Sequence, residues 1–264
     1  MSNRKPTLWQ IDVSHYSEKA RWALAYKGVE HRRRSPVPGV HVAVALWLTR
    51  GRSATFPILI LDGRNVADST AIIAALEQRY PEPSLYPADP EQRRRALELE
   101  DHFDEELGPQ IRRLAWHELG SDPEKMRELM QLSAPVPLRR FGGATALYAR
   151  GWTALRFGAA SEEGAAKART KVLAALDRLD AELARSTSGY LVGDSFSVAD
   201  LTAASLFYPL VGPAEGPLPP DQSMPDGFEG LREETRGRPG FAWVEEMFRR
   251  HRKPAGDAGT ATAH

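Results

Sequence analysis

The 264-residue chain contains no cysteine. That excludes disulfides, thiolate metal sites and any nucleophile of its own built on sulfur. It has no net charge, with 35 Lys and Arg against 35 Asp and Glu, so no uniform electrostatic pull toward nucleic acid is expected. The basic runs His31–Arg34 and Arg249–Lys253 read as solvated edges or helix ends. No stretch approaches the ~18 consecutive apolar residues of a membrane span. The opening residues Met1 to Pro6 lack an apolar leader core, so a soluble, cytoplasmic protein is expected, with no nucleic-acid or membrane partner. The histidines are scattered: His102 and His117 lie too far apart to share one turn of a helix, and no HExxH pair occurs, so no metal site is expected.

What is present divides at a proline-rich passage. Thr7 to Ile11 reads as a short strand and Ser17 to Lys27 as a helix stopped by Gly28. Glu30 to Arg34 reads as a second strand. Its crossover connection implies a parallel βαβ unit. After Pro36, Pro38 and Gly39 a helix is predicted at Val40 to Leu48. Phe56-Pro57 then opens a buried strand, Asp62 to Asn65 form a hairpin turn, and Val66-Ala67 pair antiparallel. Asp68 or Ser69 caps an apolar helix that ends before Pro81. The order is βαβαββα. Beyond Tyr80 to Pro90 every segment has helical spacing, including an amphipathic stretch from Glu163 to Arg185. Ser197 and Asp200 form a variant capping box, with Phe196 placed to staple onto Leu201, ahead of a largely apolar helix, Val198 to Leu210. The segment 212–238 reads as a Pro- and Gly-rich surface loop, followed by a last helix from Phe241 and a disordered tail from Ala255. The expected division is 1–83 for an α/β domain and 91–264 for an all-helical one.

Three short segments carry chemistry: Ser14-His15-Tyr16-Ser17, Phe56-Pro57 and Asp68-Ser69. A helix start offers unpaired N–H groups to an anion, and a strand edge offers main-chain hydrogen bonds. An acidic residue beside a hydroxyl holds an ammonium and a carboxylate. Together they suit a short, extended peptide bearing a thiol.

On these residues the chain resembles the cytosolic glutathione S-transferase superfamily over nearly its whole length, as a serine-type, cysteine-free member. Ser14 to Ser17 falls on that superfamily's active-site motif, Phe56-Pro57 on its cis-proline, Asp68-Ser69 on its acidic-serine motif, and Ser197 to Asp200 on its helical-domain capping box. The resemblance implies a thioredoxin-like domain followed by an all-helical domain, glutathione as co-substrate, and a homodimer. It also implies a small electrophile held between the domains near His102, Phe103, Leu107, Gln110, Arg113 and Trp116.

Moving a thiol pKa from near 8.5 to about 6.5 requires about 2.7 kcal/mol of thiolate stabilisation. One hydroxyl hydrogen bond to the anion supplies roughly 1.5 to 3 kcal/mol and the helix start roughly 0.3 to 1. Ser14 would therefore donate a hydrogen bond rather than attack. Tyr16 and Ser17 carry hydroxyls too, and the segment also reads as a plain strand-to-helix turn with Ser17 as cap and His15 as a partly exposed loop residue. The resemblance implies a cis Phe56–Pro57 bond, whereas the residues alone allow a trans proline starting a strand. Asp68 and Ser69 serve as helix caps, as ligands for the γ-glutamyl ammonium and carboxylate, or as both. Arg50, Arg52 and Thr55 lie close enough in sequence to reach the glycine carboxylate, or serve at helix ends. The expected reactions are conjugation of glutathione to an apolar electrophile, glutathione-dependent isomerisation or peroxide reduction, or, in a scaffold protein, none. Thiol–disulfide exchange through the chain's own cysteine is excluded.

Overall fold

A computed structural model describes residues 5–36, 40–133, 142–219 and 222–252. The expectations for the first residues, for Pro38 and Gly39 and for the tail from Ala255 fall outside these. A four-stranded mixed sheet in the order β2-β1-β3-β4 forms from β1 (Thr7–Trp9), β2 (Arg32–Arg34), β3 (Ile58–Leu61) and β4 (Arg64–Ala67). Strands β1 and β2 are parallel, with Leu8 opposite Arg33, and both other pairings are antiparallel. The hairpin between β3 and β4 turns on Asp62 and Gly63, both at positive φ (47° and 80°), a twist that matches the flanking strands. Helices α1 (His15–Tyr26), α2 (His41–Thr49) and α3 (Ser69–Arg79) complete the βαβαββα order, so the thioredoxin-like reading of this half holds.

The remainder is helical, as expected. Pro90 opens α4 (Pro90–His102) with Asp89 as cap, and a π-helical turn over Phe103–Leu107 joins it to α5 (Gly108–Ser121). Pro109 has no N–H to give to the preceding turn, and the ladder slips by one residue there. Next come α6 (Pro123–Ser133), α7 (Gly142–Phe157), α8 (Glu162–Leu183), α9 (Val198–Val211), α10 (Asp226–Thr235) and α11 (Pro239–His251). All fourteen positions of α9 are buried, and α9 packs on α1, α4 and α11, so it forms the axis between the two halves. Its start is held by Asp200, whose carboxylate accepts from the N–H groups of Leu191 (2.8 Å) and Ser197 (2.9 Å) and from the Ser197 hydroxyl (2.8 Å). Burial pushes that carboxyl up to about 6.

Two readings of the helical half are corrected. The segment 212–238 is not simply a surface loop: Phe228 and Leu231 bury one face of α10 there. Arg232 of the same helix donates to the Leu210 carbonyl at 2.8 Å and the Pro209 carbonyl at 3.2 Å, satisfying the frayed end of α9. The second basic run is not wholly solvated either, because Arg252 is buried against Glu18.

Candidate active site between the two halves

Helix α1 begins two residues before the helix expected from spacing, and Ser14 rather than Ser17 occupies the cap. Its extended backbone (ψ 126°) lets its Oγ accept the Ser17 N–H at 3.3 Å. A hydroxyl has two lone pairs and one proton, so this bond leaves the Ser14 O–H free to donate elsewhere. Ser17 is turned away into the core, where its Oγ accepts the Ile11 N–H at 3.2 Å. Tyr16 donates its hydroxyl to the main-chain carbonyl of Asp104 in the π-helical turn, at 3.0 Å. Burial, then the nearby Asp104 and Asp68 against Arg112, leave the Tyr16 phenol well above its ordinary range. Its ring fits because residue 108 is glycine: a Cβ there would stand 2.1 Å from the Tyr16 oxygen. His15 is buried rather than a loop residue. Desolvation, reinforced by the Arg112 charge, lowers its pKa to about 3 despite a hydrogen bond with the Gly108 main chain. It is a neutral imidazole at physiological pH.

Beside this helix start lies an open cleft of about 1440 Å³, bordered by Tyr16, Phe56, Pro57, Asp68, Ser69 and Thr70. The Phe56–Pro57 bond is cis. Asp68 caps α3 through Oδ1, which accepts from Thr70 N (2.9 Å) and Ala71 N (3.1 Å), and holds φ at +81°, a region L residues rarely adopt. Ser69 is buried directly behind it. Arg50, Arg52 and Thr55 border the same cleft. Thr70 and Asp104 on its border belong to a buried ionic cluster: Lys19 Nζ lies 2.8 Å from Glu100 and 2.6 Å from Asp104, and donates to Thr70 Oγ1 at 2.8 Å. Burial, opposed by Lys19, raises the Glu100 pKa.

A second, apolar cavity of about 180 Å³ adjoins the first and carries Ser14 and His15 in its wall. Thr55, Phe56 and Arg112 border both spaces. Of the helical-half residues expected at the cleft, Trp116 lines this cavity. Phe103 and Leu107 are core, and Arg113 is spent on the Phe157 carbonyl at 2.8 Å. The reading from sequence missed Arg112, Trp152 and Phe157, and also Leu218 and Met224, which bring the 212–238 segment to the cavity wall. A signal for Arg112 existed: it stands three, four and seven residues before Ala115, Trp116 and Leu119, on the one face of α5 that they share.

Among the described residues, no group of three or more His, Asp or Glu could hold a metal ion, and no helix is long and apolar enough to cross a membrane.

A mixed-sheet domain with a cis-proline at the cleft, joined to a helical domain that closes an apolar cavity over its first helix, defines a glutathione S-transferase-like architecture. Comparison with known proteins agrees. Residues 8–84 match the glutathione S-transferase N-terminal domain family and residues 140–222 the C-terminal domain family. The chain belongs to the glutathione S-transferase superfamily. A probable maleylacetoacetate isomerase from Caenorhabditis elegans is 33% identical over 96 residues, which is 36% of this chain and 45% of that protein's length. Thus the match spans less than half of that relative. The beta-etherase LigF from Sphingobium sp. strain SYK-6 superposes with a TM-score of 0.59 at 22% identity, covering 92% of this chain and 99% of the other. A glutathione S-transferase from Methylobacillus flagellatus KT, solved with glutathione bound, superposes with a TM-score of 0.57 at 20% identity, covering 94% and 96%. At these identities the structural likenesses establish the fold.

Proposed function

We propose that the protein binds glutathione in the open cleft and transfers its thiolate to a small electrophile in the apolar cavity. The observation that carries this reading is the position of Ser14: it caps α1 while facing the apolar cavity, which meets the open cleft at Thr55, Phe56 and Arg112. The peptide would lie extended along the Phe56 main chain, with its γ-glutamyl carboxylate at Ser69 and the start of α3. Its ammonium would face the acidic side made by Asp68, Asp101 and Asp104. The sulfur would rest at Ser14. The Ser14 hydroxyl and the positive end of α1 keep it ionised, and Tyr16, already spent on Asp104, shapes the wall.

Conjugation then needs no protein base in the bond-forming step. The sulfur lone pair forms the C–S bond as the leaving group departs with its electron pair, or as a polarised double bond takes up a proton. The name of the Caenorhabditis elegans relative favours a second use of the same thiolate, isomerisation, in which it adds to a conjugated double bond, the single bond rotates, and elimination returns the thiol. The two are told apart by mass: a conjugate gains the tripeptide and an isomer gains nothing. We further propose a cytoplasmic homodimer, which light scattering tests.

The direct test is a thermal-shift screen with glutathione and other low-molecular-weight thiols, followed by turnover of model electrophiles. A ligand at a hundredfold excess over its Kd stabilises by about 2.7 kcal/mol. A shift with glutathione together with turnover supports the proposal. A shift without turnover reduces it to a binding protein, and no shift with any thiol overturns it.

A further inference from the structure

The Arg112 side chain is half-buried between two aromatic rings, its guanidinium carbon 4.3 Å from the Phe157 centroid and 5.6 Å from that of Tyr16. Its Nε is fully buried and makes no hydrogen bond, and no carboxylate pairs with it among the described residues. Three other arginines drawn into the structure are each paired with a carboxylate. Arg21 and Arg252 share Glu18, and Arg232 is paired with Glu229. Among the described residues, the only acid bordering the apolar cavity is Asp12, which already accepts from Gln10 and Ser35. A guanidinium offers five donors in a fixed fork that matches a carboxylate in two parallel bonds, and a half-buried one with its Nε enclosed and no counter-charge gains from such a partner. Burial accordingly lowers the Arg112 pKa, and the neighbouring cations Arg156 and Arg113 add to the effect.

We propose that Arg112 is an acceptor-binding residue, and that the electrophile this cavity takes is a flat, conjugated or aromatic molecule carrying a carboxylate. This rests on the transferase reading above and narrows its substrate class. The position of Arg112 fits that role: it borders both the cleft and the cavity, on the face of α5 that carries Trp116, across from Ser14 and His15. A carboxylate held there leaves the conjugated part of the molecule against Trp116, Trp152 and Phe157, within the cavity that also receives the sulfur. The peptide's own carboxylates have other candidate partners, in Ser69, Arg50 and Arg52 on the far side of the cleft. No ion pair or hydrogen bond among the described residues depends on Arg112, so its fixed charge is explained by a ligand rather than by the fold.

Two matched pairs of small molecules test this. The first is 4-(chloromethyl)benzoate against its methyl ester, where sulfur displaces chloride at the benzylic carbon and the ester lacks the charge, each rate being taken relative to its uncatalysed reaction with glutathione. The second is cinnamate against cinnamamide, titrated by calorimetry with no thiol present. In the wild type the acid of each pair should be preferred by about tenfold or more, the range of one charge-assisted bidentate contact. Arg112→Met should bring the acid-to-ester ratio of kcat/KM and the acid-to-amide ratio of affinity down to about one, with the loss falling mainly on the acid of each pair. Arg112→Lys should retain part of the preference. Equal losses on acid and ester would assign Arg112 to the sulfur instead. That result, a weakened glutathione Kd, or a wild type indifferent to charge overturns the proposal. The cinnamate pair reads Arg112 whether or not glutathione is the co-substrate: Arg112-dependent binding of cinnamate without turnover of either chloride sinks the transferase reading alone.

Discussion

The Tyr16 hydroxyl donates to the Asp104 carbonyl at 3.0 Å, which ties the first turn of α1 to the π-helical turn between α4 and α5. A phenol held this way, with a pKa raised by burial, has no proton to spare for a sulfur anion. Ser14, two residues earlier at the cap, keeps its proton available. Tyr16→Phe should therefore keep kcat/KM for a neutral electrophile within about threefold and lose about 1 kcal/mol of stability. Ser14→Ala should lower kcat/KM by about tenfold or more, the loss expected for one hydrogen bond to a charged group. Steady-state kinetics and thermal melts on both variants check this, and the reverse order of losses would move the thiolate contact to Tyr16.

His15 couples stability to acid. Folded, it binds a proton only below about pH 3, while the unfolded chain binds it below 6.5. Between those values the unfolded state holds more protons, so stability falls as pH is lowered. At pH 5 the expected cost relative to neutral pH is about 2 kcal/mol. Asp200 works against this, because its carboxyl is raised to about 6 and the folded state gains protons between that value and 3.8. The comparison must therefore be between wild type and His15→Gln in urea at pH 5 and pH 7.5. The difference between the two proteins should shrink or reverse toward acid by about 2 kcal/mol. A constant difference contradicts a neutral, buried imidazole.

Lys19 is fully buried with Glu100 and within 2.6 Å of Asp104, one cation serving two carboxylates. Lys19→Met leaves both acids unpaired in the seam between the sheet domain and the helical domain. It should cost about 3 to 5 kcal/mol, with Glu100→Gln in the same chain restoring part of it. Denaturant midpoints of the single and double variants measure the coupling, and additive losses would show that the cluster is not acting as a unit.

Asp200 satisfies two buried N–H groups and the Ser197 hydroxyl at the start of α9. Asp200→Ala orphans all three and should destabilise by about 2 to 4 kcal/mol, whereas Ser197→Ala removes one donor and should cost about 1. A similar loss for the two would mean that the hydroxyl, not the carboxylate, holds the cap.

Much of this was legible in the residues because local rules and the fold agree. The proline before Ile58, the Asp62-Gly63 turn and the cap before Thr70 each specify an element almost alone, and four motifs in order, at Ser14–Ser17, Phe56-Pro57, Asp68-Ser69 and Ser197–Asp200, point to the superfamily. The start of α1 lies two residues before the one read from spacing because Ser14 and Ser17 are both competent caps. Only the extended backbone at Ser14 and the burial of Ser17 decide between them. The π-helical turn was hidden because Pro109 reads as an ordinary first-turn proline. Arg112 was passed over because a single arginine on an amphipathic helix usually reaches water, and its isolation depends on Phe157 arriving from another helix. The helix α10 was masked by the prolines and glycines around it, although Phe228 and Leu231 stand three apart, as a buried face requires.

The central claim is that a sulfur anion rests at the cap of α1 and is kept ionised by Ser14. Its most direct test is titration of the thiolate ultraviolet absorbance of glutathione bound to the wild type and to Ser14→Ala. The account predicts an apparent pKa near 6.5 in the wild type, about two units below the free thiol, returning toward 8.5 in the variant. A bound thiol that titrates like the free one in the wild type, or that stays ionised equally well in Ser14→Ala, contradicts it.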